Sequence, residues 1–323
     1  MLTQLEQLWQ IPAILCARGS RWANLWWALQ GLRFRRGAVR IYAGEYAGSA
    51  VRVVTAGRTK HALRFCEDVL GALELTRDGG RVSLSRPIEL DALPGDLIVA
   101  EIHPRHAAAF RDAGWILVPG WIRWRADLRE RSAKLPRSVK SDLNKADAHG
   151  YEYARSLDRG DWDDFWRAMV EPYVLERFAE WAWVPPRIFR RVFERFGVLH
   201  FVYQGGRRVA GFAALCSRER GWFPVLGVLP EPELRRQGVV AAIYKFTFEW
   251  ARARGLRYVD LGRSEAFLND GVGQYKQKWG LEPVADPMGH LLCMKVGPAV
   301  EAAFREEPVR ALTRTGFASF IAP

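Results

Sequence analysis

Cysteine and histidine, the residues that build disulfide frameworks and most zinc sites, are scarce in this chain. Its 323 residues include four Cys and six His. The cysteines lie far apart, with no paired spacing: Cys16, Cys66, Cys216 and Cys293. His103 and His106 are three residues apart, but Pro104 stands between them. These spacings argue against a metal site and against a disulfide-stapled fold, and they predict reduced cysteines in a cytoplasmic protein.

Three longer patterns are also missing. The N-terminal sequence MLTQLEQLWQIPAILCARGS has an early acid and no basic leader, so we predict no signal peptide. No apolar run reaches the roughly 20 residues that a membrane-spanning helix needs. The chain has no G-x-S-x-G sequence and no Cys with an evident His partner, so we do not expect a covalent intermediate on a side chain.

Lysine is scarce too, although the chain is strongly basic. The formal net charge is +12, and 40 of the 48 basic residues are Arg. Guanidinium groups suit planar contacts with phosphate or carboxylate, so a nucleic acid, an acidic cofactor and a membrane surface are all compatible partners. Because no block of basic residues dominates, a solvated surface without a partner explains the charge equally well.

One segment near the N-terminus, residues 22–40, joins an aromatic, apolar run to a basic end (WANLWWALQGLRFRRGAVR). Such a segment can lie on a membrane surface, so peripheral membrane contact stays open. A core helix followed by a basic turn explains the same pattern without a membrane, and we prefer that interpretation.

Along the chain, the hydrophobic pattern alternates between segments typical of strands and segments typical of helices. Strands are predicted where apolar runs end at Gly, as in AVRIYAG and SAVRVVTAG. A helix is predicted where apolar residues recur at helical spacing, as in RTKHALRFCEDVLGAL. These patterns predict an N-terminal α/β domain over residues 1–135 and a C-terminal domain over residues 136–323. A weak similarity in their element order hints at duplication.

The C-terminal domain has the more regular pattern. Two strands meet at Gly205-Gly206, which is a hairpin signal, and a third strand, GWFPVLGVLP, follows. Next come the long helix ELRRQGVVAAIYKFTFEWARARG, the buried strand LRYVDLG, the short helix GVGQYKQKWG and a closing strand, HLLCMKVG. We expect a final, partly amphipathic helix over PAVEAAFREEPVRALTRTGF.

The turn LRRQGVV opens the long helix. Backbone N–H groups at a helix N-terminus and two Arg side chains favour an anion, and Gly238 lets a ligand approach the backbone closely. We therefore predict a phosphate-binding turn built from Arg235, Arg236, Gln237, Gly238, Val239 and Val240. An exposed loop with two solvated arginines is the alternative.

Two resemblances follow from these motifs. The spacing R-x-x-G-x-V, Arg235 to Val240, resembles the acyl-CoA pyrophosphate loop of the GNAT superfamily of N-acetyltransferases, which usually has Gly or Ala where Val240 stands. The stretch GLRYVDLGRSEAFLNDGVGQYKQKWGLEP and the helix sequence LPRSVKSDLNKADAHG resemble the Fem-type peptidyltransferases. The Fem-type pattern falls on Asp260, Gly262, Gly271, Tyr275, Lys276, Trp279 and Gly280. The resemblance implies an α/β GNAT-like fold in two halves, with mixed central sheets flanked by helices.

The resemblance also implies acyl transfer from an activated carrier to an amine. The donor would be acyl-CoA or another acyl thioester, or an aminoacyl-tRNA as in Fem-type enzymes, and no metal is implied. The acceptor would be an amine of a small molecule, a sugar or a peptide. A backbone N–H of the strand from Phe223 to Leu229 would polarise the acyl carbonyl, and Tyr275 would protonate the leaving group.

Other side chains of the pattern have more than one interpretation. Asp260 is a base or an amine-orienting group, or it caps the loop that follows its strand. Lys276 fits the Fem-type pair beside Tyr275 and would hold a phosphate or the oxyanion. Ser264 and Glu265 would contact the acceptor from that loop.

Glu176 and Arg177 would line an acceptor pocket between the two halves, or they are buried polar caps. A function of another class also stays open, namely a non-catalytic binding protein, at a membrane or on nucleic acid, built on a decayed transferase fold. Val240 and the aromatic-basic segment 22–40 favour that alternative.

Overall fold

The computed structural model describes residues 34–58, 60–130, 135–178, 187–286, 289–314 and 316–320. Most of the segment 22–40, for which we preferred a core helix, lies outside these residues, and so does Cys16. Cys66, Cys216 and Cys293 have free thiols. Among the described residues, no helix combines the length and the apolar character needed to cross a membrane.

The chain is a mixed α/β protein, as its hydrophobic pattern predicted. The strands are β1 (Arg36–Tyr46), β2 (Ser49–Gly57), β3 (Glu74–Ser83), β4 (Leu97–Ile102), β5 (Ile116–Pro119), β6 (Ile122–Asp127), β7 (Glu152–Arg155), β8 (Val198–Gln204), β9 (Arg207–Cys216), β10 (Arg220–Val228), β11 (Tyr258–Ser264), β12 (Glu282–Ala285), β13 (Leu291–Val296), β14 (Val309–Leu312) and β15 (Phe317–Phe320). The α-helices are α1 (His61–Leu70), α2 (Pro87–Asp91), α3 (Ala107–Asp112), α4 (Arg137–Ala148), α5 (Asp161–Asp164), α6 (Glu171–Phe178), α7 (Arg187–Phe196), α8 (Pro232–Arg236), α9 (Val239–Ala253), α10 (Gly271–Lys278) and α11 (Ala303–Glu306). A π-helical turn, Phe165–Val170, joins α5 to α6.

The described residues group into two compact units. The N-terminal unit holds residues 34–123, 264–274 and those from 283 onward, whereas the central unit holds residues 124–263 and 275–282. The two units therefore interleave along the chain. The predicted domains, 1–135 and 136–323, are a different partition, because each of them is one continuous segment.

In the N-terminal unit, six strands form a mixed sheet in the order β3-β1-β2-β4-β13-β5. β1 and β2 are antiparallel, β2 runs parallel to β4, and α1 packs on both β2 and β4. Every residue of β4 is buried, as expected for a strand that is covered on both faces. β13 lies between β4 and β5 and is antiparallel to each. We expected this strand to close the C-terminal domain, but its buried residues complete the sheet of the N-terminal unit.

The C-terminal segment is not the amphipathic helix that we expected. Pro298–Val300 form a 3-10 turn, α11 ends at Glu306, and β14 and β15 pair as an antiparallel hairpin. Pro308 explains the difference, because proline has no N–H and disfavours helical backbone at the residue before it. Glu307 accordingly leaves the helical region, with φ −117° and ψ 71°.

A second sheet, most of whose residues belong to the central unit, has the order β12-β6-β11-β10-β9-β8-β7. The strands from β7 to β10 are antiparallel neighbours, and β8 and β9 meet at the predicted hairpin, where Gly205 and Gly206 have φ of 56° and 78°. β10 and β11 are parallel, and the connection between them includes α9, which packs on β9 and β10. Mixed sheets flanked by helices confirm the predicted fold class.

Candidate functional site

The parallel pair β10 and β11 sets the geometry of the candidate site. Their register joins Arg220–Trp222 to Tyr258–Asp260 and then stops, although both strands continue. A register shift between β10 and β9 lies at the same level, between Trp222 and Val225, and Pro224 there has no N–H to donate. The ladder therefore covers only the first three residues of each strand, and the carboxyl-terminal parts of β10 and β11, which lead to the edge where α/β sheets bind ligands, lie beyond it.

The predicted phosphate turn differs from the expected structure. Arg235 and Arg236 lie in the last turn of α8, so α9 begins only after Gly238. Gly238 has a left-handed backbone with φ 86°. A Cβ atom there would stand 3.0 Å from the carbonyl oxygen of Asp142 in α4. This glycine is therefore required by the turn itself and by the close packing of α4.

The two arginines of this turn are paired with carboxylates. Arg235 bonds the carboxylate of Glu176 on α6 through both Nη atoms, one of them at 2.7 Å. Arg236 bonds Glu233 of the same short helix at 2.8 Å. Hydrogen bonds from Arg235 hold the pKa of the Glu176 carboxyl below its usual range. We expected Arg235 to bind phosphate and Glu176 to line an acceptor pocket, whereas the structure joins these two side chains to each other.

Gln237, Val239 and Val240 complete the turn. Gln237 accepts hydrogen bonds from the amide of Gln204 at 3.1 Å and from the hydroxyl of Tyr151 at 3.4 Å. Val239 is fully buried, and Val240 is half-buried. The first N–H groups of an α-helix have no acceptor inside the helix, so this end of α9 keeps a partial positive charge. That these residues bind phosphate stays a prediction.

Asp260 lies inside β11 and not at its end. The strand continues to Ser264, and Asp260 is 4% exposed. Its Oδ1 accepts the backbone N–H of Gly262 at 3.1 Å. Gly262 has φ 77°, so the carboxylate stabilises a left-handed kink within the strand. Asp260 therefore caps a kink inside β11 and not the loop after the strand. A role of Asp260 in chemistry stays a prediction.

Tyr275 and Lys276 are neighbours on α10 but have different environments. The ring of Tyr275 is 5.2 Å from that of Tyr244 on α9 and 6.4 Å from that of Trp279. Burial raises the pKa of the Tyr275 hydroxyl, so this group keeps its proton at neutral pH. Lys276 is 4% exposed, and its Nζ donates to the backbone carbonyl of Arg263 at 2.7 Å. The phenol can therefore serve as a proton donor, while the ammonium holds the end of β11.

Ser264 and Glu265 group with the N-terminal unit. Ser264, which we expected in a loop, is the last residue of β11, and its hydroxyl donates to the carbonyl of Glu265 at 3.0 Å. The carboxylate of Glu265 forms an ion pair with Arg64 of α1. Burial raises the pKa of Glu265 to about 7; Arg64 opposes this shift and Asp68 adds to it. An acceptor contact by either residue stays a prediction.

Two tyrosines near the site were not singled out from the sequence. Tyr244 contacts Tyr275, and Tyr173 accepts a hydrogen bond from Arg177 at 2.9 Å. Tyr173 and Arg177 have the i, i+4 spacing of neighbours on a helix face, so a signal was present in EPYVLERF. Tyr244 offered no such signal, because one buried aromatic residue on a helix has the same pattern as any core residue.

Comparison with known families identifies the segment that carries these residues. Residues 133–277 match the family described as acetyltransferase (GNAT) domain. The matched segment is a GNAT domain. It contains every predicted site residue, from Glu176 to Lys276, and it confirms the predicted resemblance to the GNAT superfamily.

Solved structures similar to the chain are distant in sequence. L-PGS from Bacillus licheniformis is 12% identical over 79% of this chain and 83% of its own, with a TM-score of 0.43. FemX is 11% identical over 79% of this chain and 84% of its own, with a TM-score of 0.41. A GCN5-related N-acetyltransferase from Sphaerobacter thermophilus is 15% identical over 62% of this chain and 59% of its own, with a TM-score of 0.37. No curated protein matches the chain.

The part of the GNAT domain that belongs to the central unit contains three kinds of group. Tyr275 offers a protonated phenol beside α9, and Asp260 offers a buried carboxylate in β11. The start of α9 offers backbone N–H groups after Gly238. A proton donor, a carboxylate and a positive helix end are the groups that the transfer of an acyl group needs.

Proposed function

We propose that the GNAT domain transfers an acyl group from an activated carrier to an amine by direct attack. The short ladder between β10 and β11 carries this proposal. Because the two strands are parallel, their carboxyl ends meet at one edge of the sheet, and the chain continues from β10 into the turn that starts α9. A carrier that binds at the start of α9 would bring its acyl carbonyl to the part of β10 that lacks the β11 ladder.

The reaction needs no nucleophile from the protein. The lone pair of the neutral amine attacks the acyl carbonyl carbon, a C–N bond forms, and the C–S or C–O bond to the carrier breaks. The nitrogen then gives a proton to a base, and the carrier leaves with a proton from an acid. We propose Tyr275 as the acid, because its phenol carries a proton at neutral pH. Asp260 is the carboxylate that we propose as the base or as the group that orients the amine.

The tetrahedral oxyanion needs hydrogen-bond donors that are in place before the reaction starts. We assign them to the backbone of β10 between Phe223 and Leu229, with the exception of Pro224, which has no N–H. Lys276 is a further donor. Its Nζ donates to the backbone carbonyl of Arg263, so this side chain reaches the end of β11.

Two donor classes are compatible with this site. An acyl thioester such as acyl-CoA is the leading proposal, since Arg235 to Val240 have the spacing of a pyrophosphate loop. An aminoacyl-tRNA is the second candidate. It is favoured by Glu176, whose carboxylate already pairs with Arg235, and by Val240, which departs from the Gly or Ala that is usual in acyl-CoA pyrophosphate loops. The net charge of +12 also favours a polyanionic donor.

Native mass spectrometry of the full chain with acyl-CoA, an acylated carrier protein and charged tRNA tests the donor. Retention of an acyl thioester, followed by amide formation when amines are added, supports the first candidate. Binding of charged tRNA that weakens steeply with salt supports the second. If no carrier is retained and no amide forms, the acyl-transfer proposal fails and the non-catalytic alternative is favoured.

The variant Tyr275→Phe tests the acid. We expect kcat for acyl transfer to fall by about 100-fold, with little change in donor affinity, because the phenol would act on the leaving group in the transition state. Tyr153→Phe is the matched control, since Tyr153 is a half-buried tyrosine of the same unit that stacks on Phe246 at 4.7 Å. An unchanged kcat in Tyr275→Phe would remove this residue from the mechanism.

A further inference from the structure

A small pocket lies within the N-terminal unit, between α1 and the segment that follows β11. Its lining comes from one face of α1, from residues 265–267, from the end of β5 and the residue after it, and from β13. All these parts group with the N-terminal unit. We name this feature the α1 pocket, and its lining includes His61, Phe65, Asp68, Glu265, Phe267 and Leu292.

The two main walls of the α1 pocket are fixed by the fold. The three lining residues of α1 have the i, i+4, i+7 spacing of one helix face, so the helix itself forms one wall. In the other wall, the backbone carbonyl of Ala266 accepts the N–H of Arg310 in β14 at 2.8 Å. The rings of Phe65 and Phe267, one from each wall, stack at 5.2 Å. The pocket is therefore formed before any ligand binds.

The α1 pocket carries more negative than positive charge. Arg64 forms ion pairs with both of its carboxylates, namely with Glu265 and, at 3.7 Å, with Asp68. Among the described residues, no other cation pairs with either carboxylate. One guanidinium therefore balances two carboxylates only in part, and a further cation is favoured at this place.

The pKa values of the two carboxyls agree with this imbalance. Burial raises the pKa of Asp68; Arg64 opposes this shift and Glu307 adds to it. Burial also raises the pKa of Glu265 to about 7. Arg64 again opposes the shift, whereas Asp68 and Asp270 add to it. About half of the Glu265 carboxyls therefore carry a proton at pH 7, and a bound cation would displace that proton.

The size and the walls of the pocket select the kind of cation. Its volume is about 10 Å³, which is the space of one water molecule, so an ammonium head fits and a much larger head does not. On one side, the ring of His61 is held by a hydrogen bond that it shares with His290 at 2.8 Å. Aromatic rings attract organic cations, whereas Ca²⁺ and Mg²⁺ need about six or more oxygen ligands. In the part of the chain that the structure describes, no group of three potential metal ligands occurs.

We propose that the α1 pocket binds the ammonium group of a primary amine. Asp68 and Glu265 accept its hydrogen bonds, and the rings of Phe65 and Phe267 contact the carbon atoms next to the nitrogen. An alkylammonium gains from both the carboxylates and the rings, whereas an inorganic cation such as K⁺ has no apolar part to place against the rings. This binding needs no acyl donor and does not depend on the proposed acyl transfer.

Isothermal titration calorimetry of the full chain with propylammonium chloride, at pH 7.5 and low salt, tests the pocket. Glu265→Gln and Asp68→Asn should each weaken binding by about tenfold or more, because each replaces a charged acceptor by a neutral one. Asp78→Asn is the matched control and should bind like the wild type. Asp78 also pairs with an arginine, Arg40, at 3.7 Å, but it lies at an exposed site on β3 outside the pocket.

Two analogues of propylammonium separate charge from size. 1-Propanol has nearly the same shape without the charge, and propyltrimethylammonium has the charge on a head that exceeds the volume of the pocket. Each should bind at least about tenfold more weakly than propylammonium.

The pH dependence of binding identifies the carboxyl group that responds. An alkylammonium keeps its proton at pH 5 and at pH 8, whereas Glu265 changes from mostly protonated to mostly ionised between these values. Binding should therefore be about tenfold or more tighter at pH 8 than at pH 5, and Glu265→Gln should remove most of this difference.

Several results would overturn this inference. They are an absence of propylammonium binding to the wild-type chain, equal binding of either analogue, and binding that neither carboxylate substitution weakens. Tighter binding of K⁺ than of propylammonium would also overturn it, because the pocket would then select an inorganic cation. The titrations contain no acyl donor, so a failure of acyl transfer leaves their outcome unaffected, and an absence of binding here leaves acyl transfer standing.

Discussion

Both compact units bury carboxylates, such as Asp260 and Glu101, and the central unit also places phenols beside the candidate site. In the central unit, the groups beside the candidate site are the phenols of Tyr244 and Tyr275, which stay neutral at pH 7. In the N-terminal unit, Glu101 is 0% exposed and Glu265 is paired with Arg64 against α1. A neutral hydroxyl costs far less to bury than a carboxylate, which needs several donors or a counter-ion.

The difference separates structural roles from chemical ones. Glu101 accepts backbone N–H groups at the start of α1, and Glu265 ties residues 264–274 to the same helix. These carboxylates anchor the N-terminal unit. The central unit keeps hydroxyl donors that a substrate can use. We therefore expect carboxylate variants of the N-terminal unit to change stability, and phenol variants of the central unit to change activity or binding.

Glu101→Ala should have the largest effect on stability. Its carboxylate accepts the N–H of Arg58 at 3.0 Å and that of Ala62 at 3.2 Å, so the variant removes the acceptor of two donors beside the core. We expect the free energy of unfolding to fall by about 3 kcal/mol, measured by urea denaturation. Glu89→Ala is the control, since Glu89 accepts one N–H, from Ser83, at an exposed site, and its loss should cost about 0.5 kcal/mol. Equal losses would mean that the buried carboxylate is not an anchor.

Gly238→Ala tests the stability of the central unit at a position that carries no charge. A left-handed backbone at φ 86° and a Cβ contact at 3.0 Å should together cost about 2 kcal/mol of the free energy of unfolding. Gly255→Ala is the matched control, since Gly255 has φ 71° and an added Cβ would meet no atom within 4 Å. This control should lose about 1 kcal/mol. A similar loss in both variants would show that α4 moves aside without cost.

The pH dependence contributed by Glu265 should be the smallest of these effects. Its pKa is raised from 4.5 to about 7, so between these pH values the folded chain binds more protons than the unfolded chain. Stability contributed by this group therefore falls as pH rises through that window. The stability of Glu265→Gln relative to the wild type should rise by about 1–2 kcal/mol from pH 5 to pH 8 in urea denaturation. The free energy of unfolding of Glu152→Gln, a variant at an exposed position on β7, should change with pH in the same way as that of the wild type. A relative change of the opposite sign would mean that Arg64 keeps Glu265 ionised throughout.

Secondary-structure elements that depend on neighbouring residues were predicted from the sequence. The hairpin at Gly205-Gly206 follows from two residues that accept positive φ, and α10 follows from the spacing around Tyr275. The predicted final helix was wrong, because Pro308 ends the helical backbone although the apolar residues around it have a partly helical spacing. The position of β13 in its sheet could not be predicted from neighbouring residues, because its partners β4 and β5 lie far away in the chain.

The sequence by itself determined the order of most strands and helices, the GNAT pattern of residues 133–277, and the position of Tyr275 and Lys276 on a short helix. Only the tertiary structure decided which side chains meet. It joins Arg235 to Glu176, 59 residues away, and it brings Tyr244 to Tyr275. The physical reason is the range of the interactions. A turn or a helix depends on hydrogen bonds among neighbouring residues, whereas a pair of distant side chains depends on how the whole unit packs.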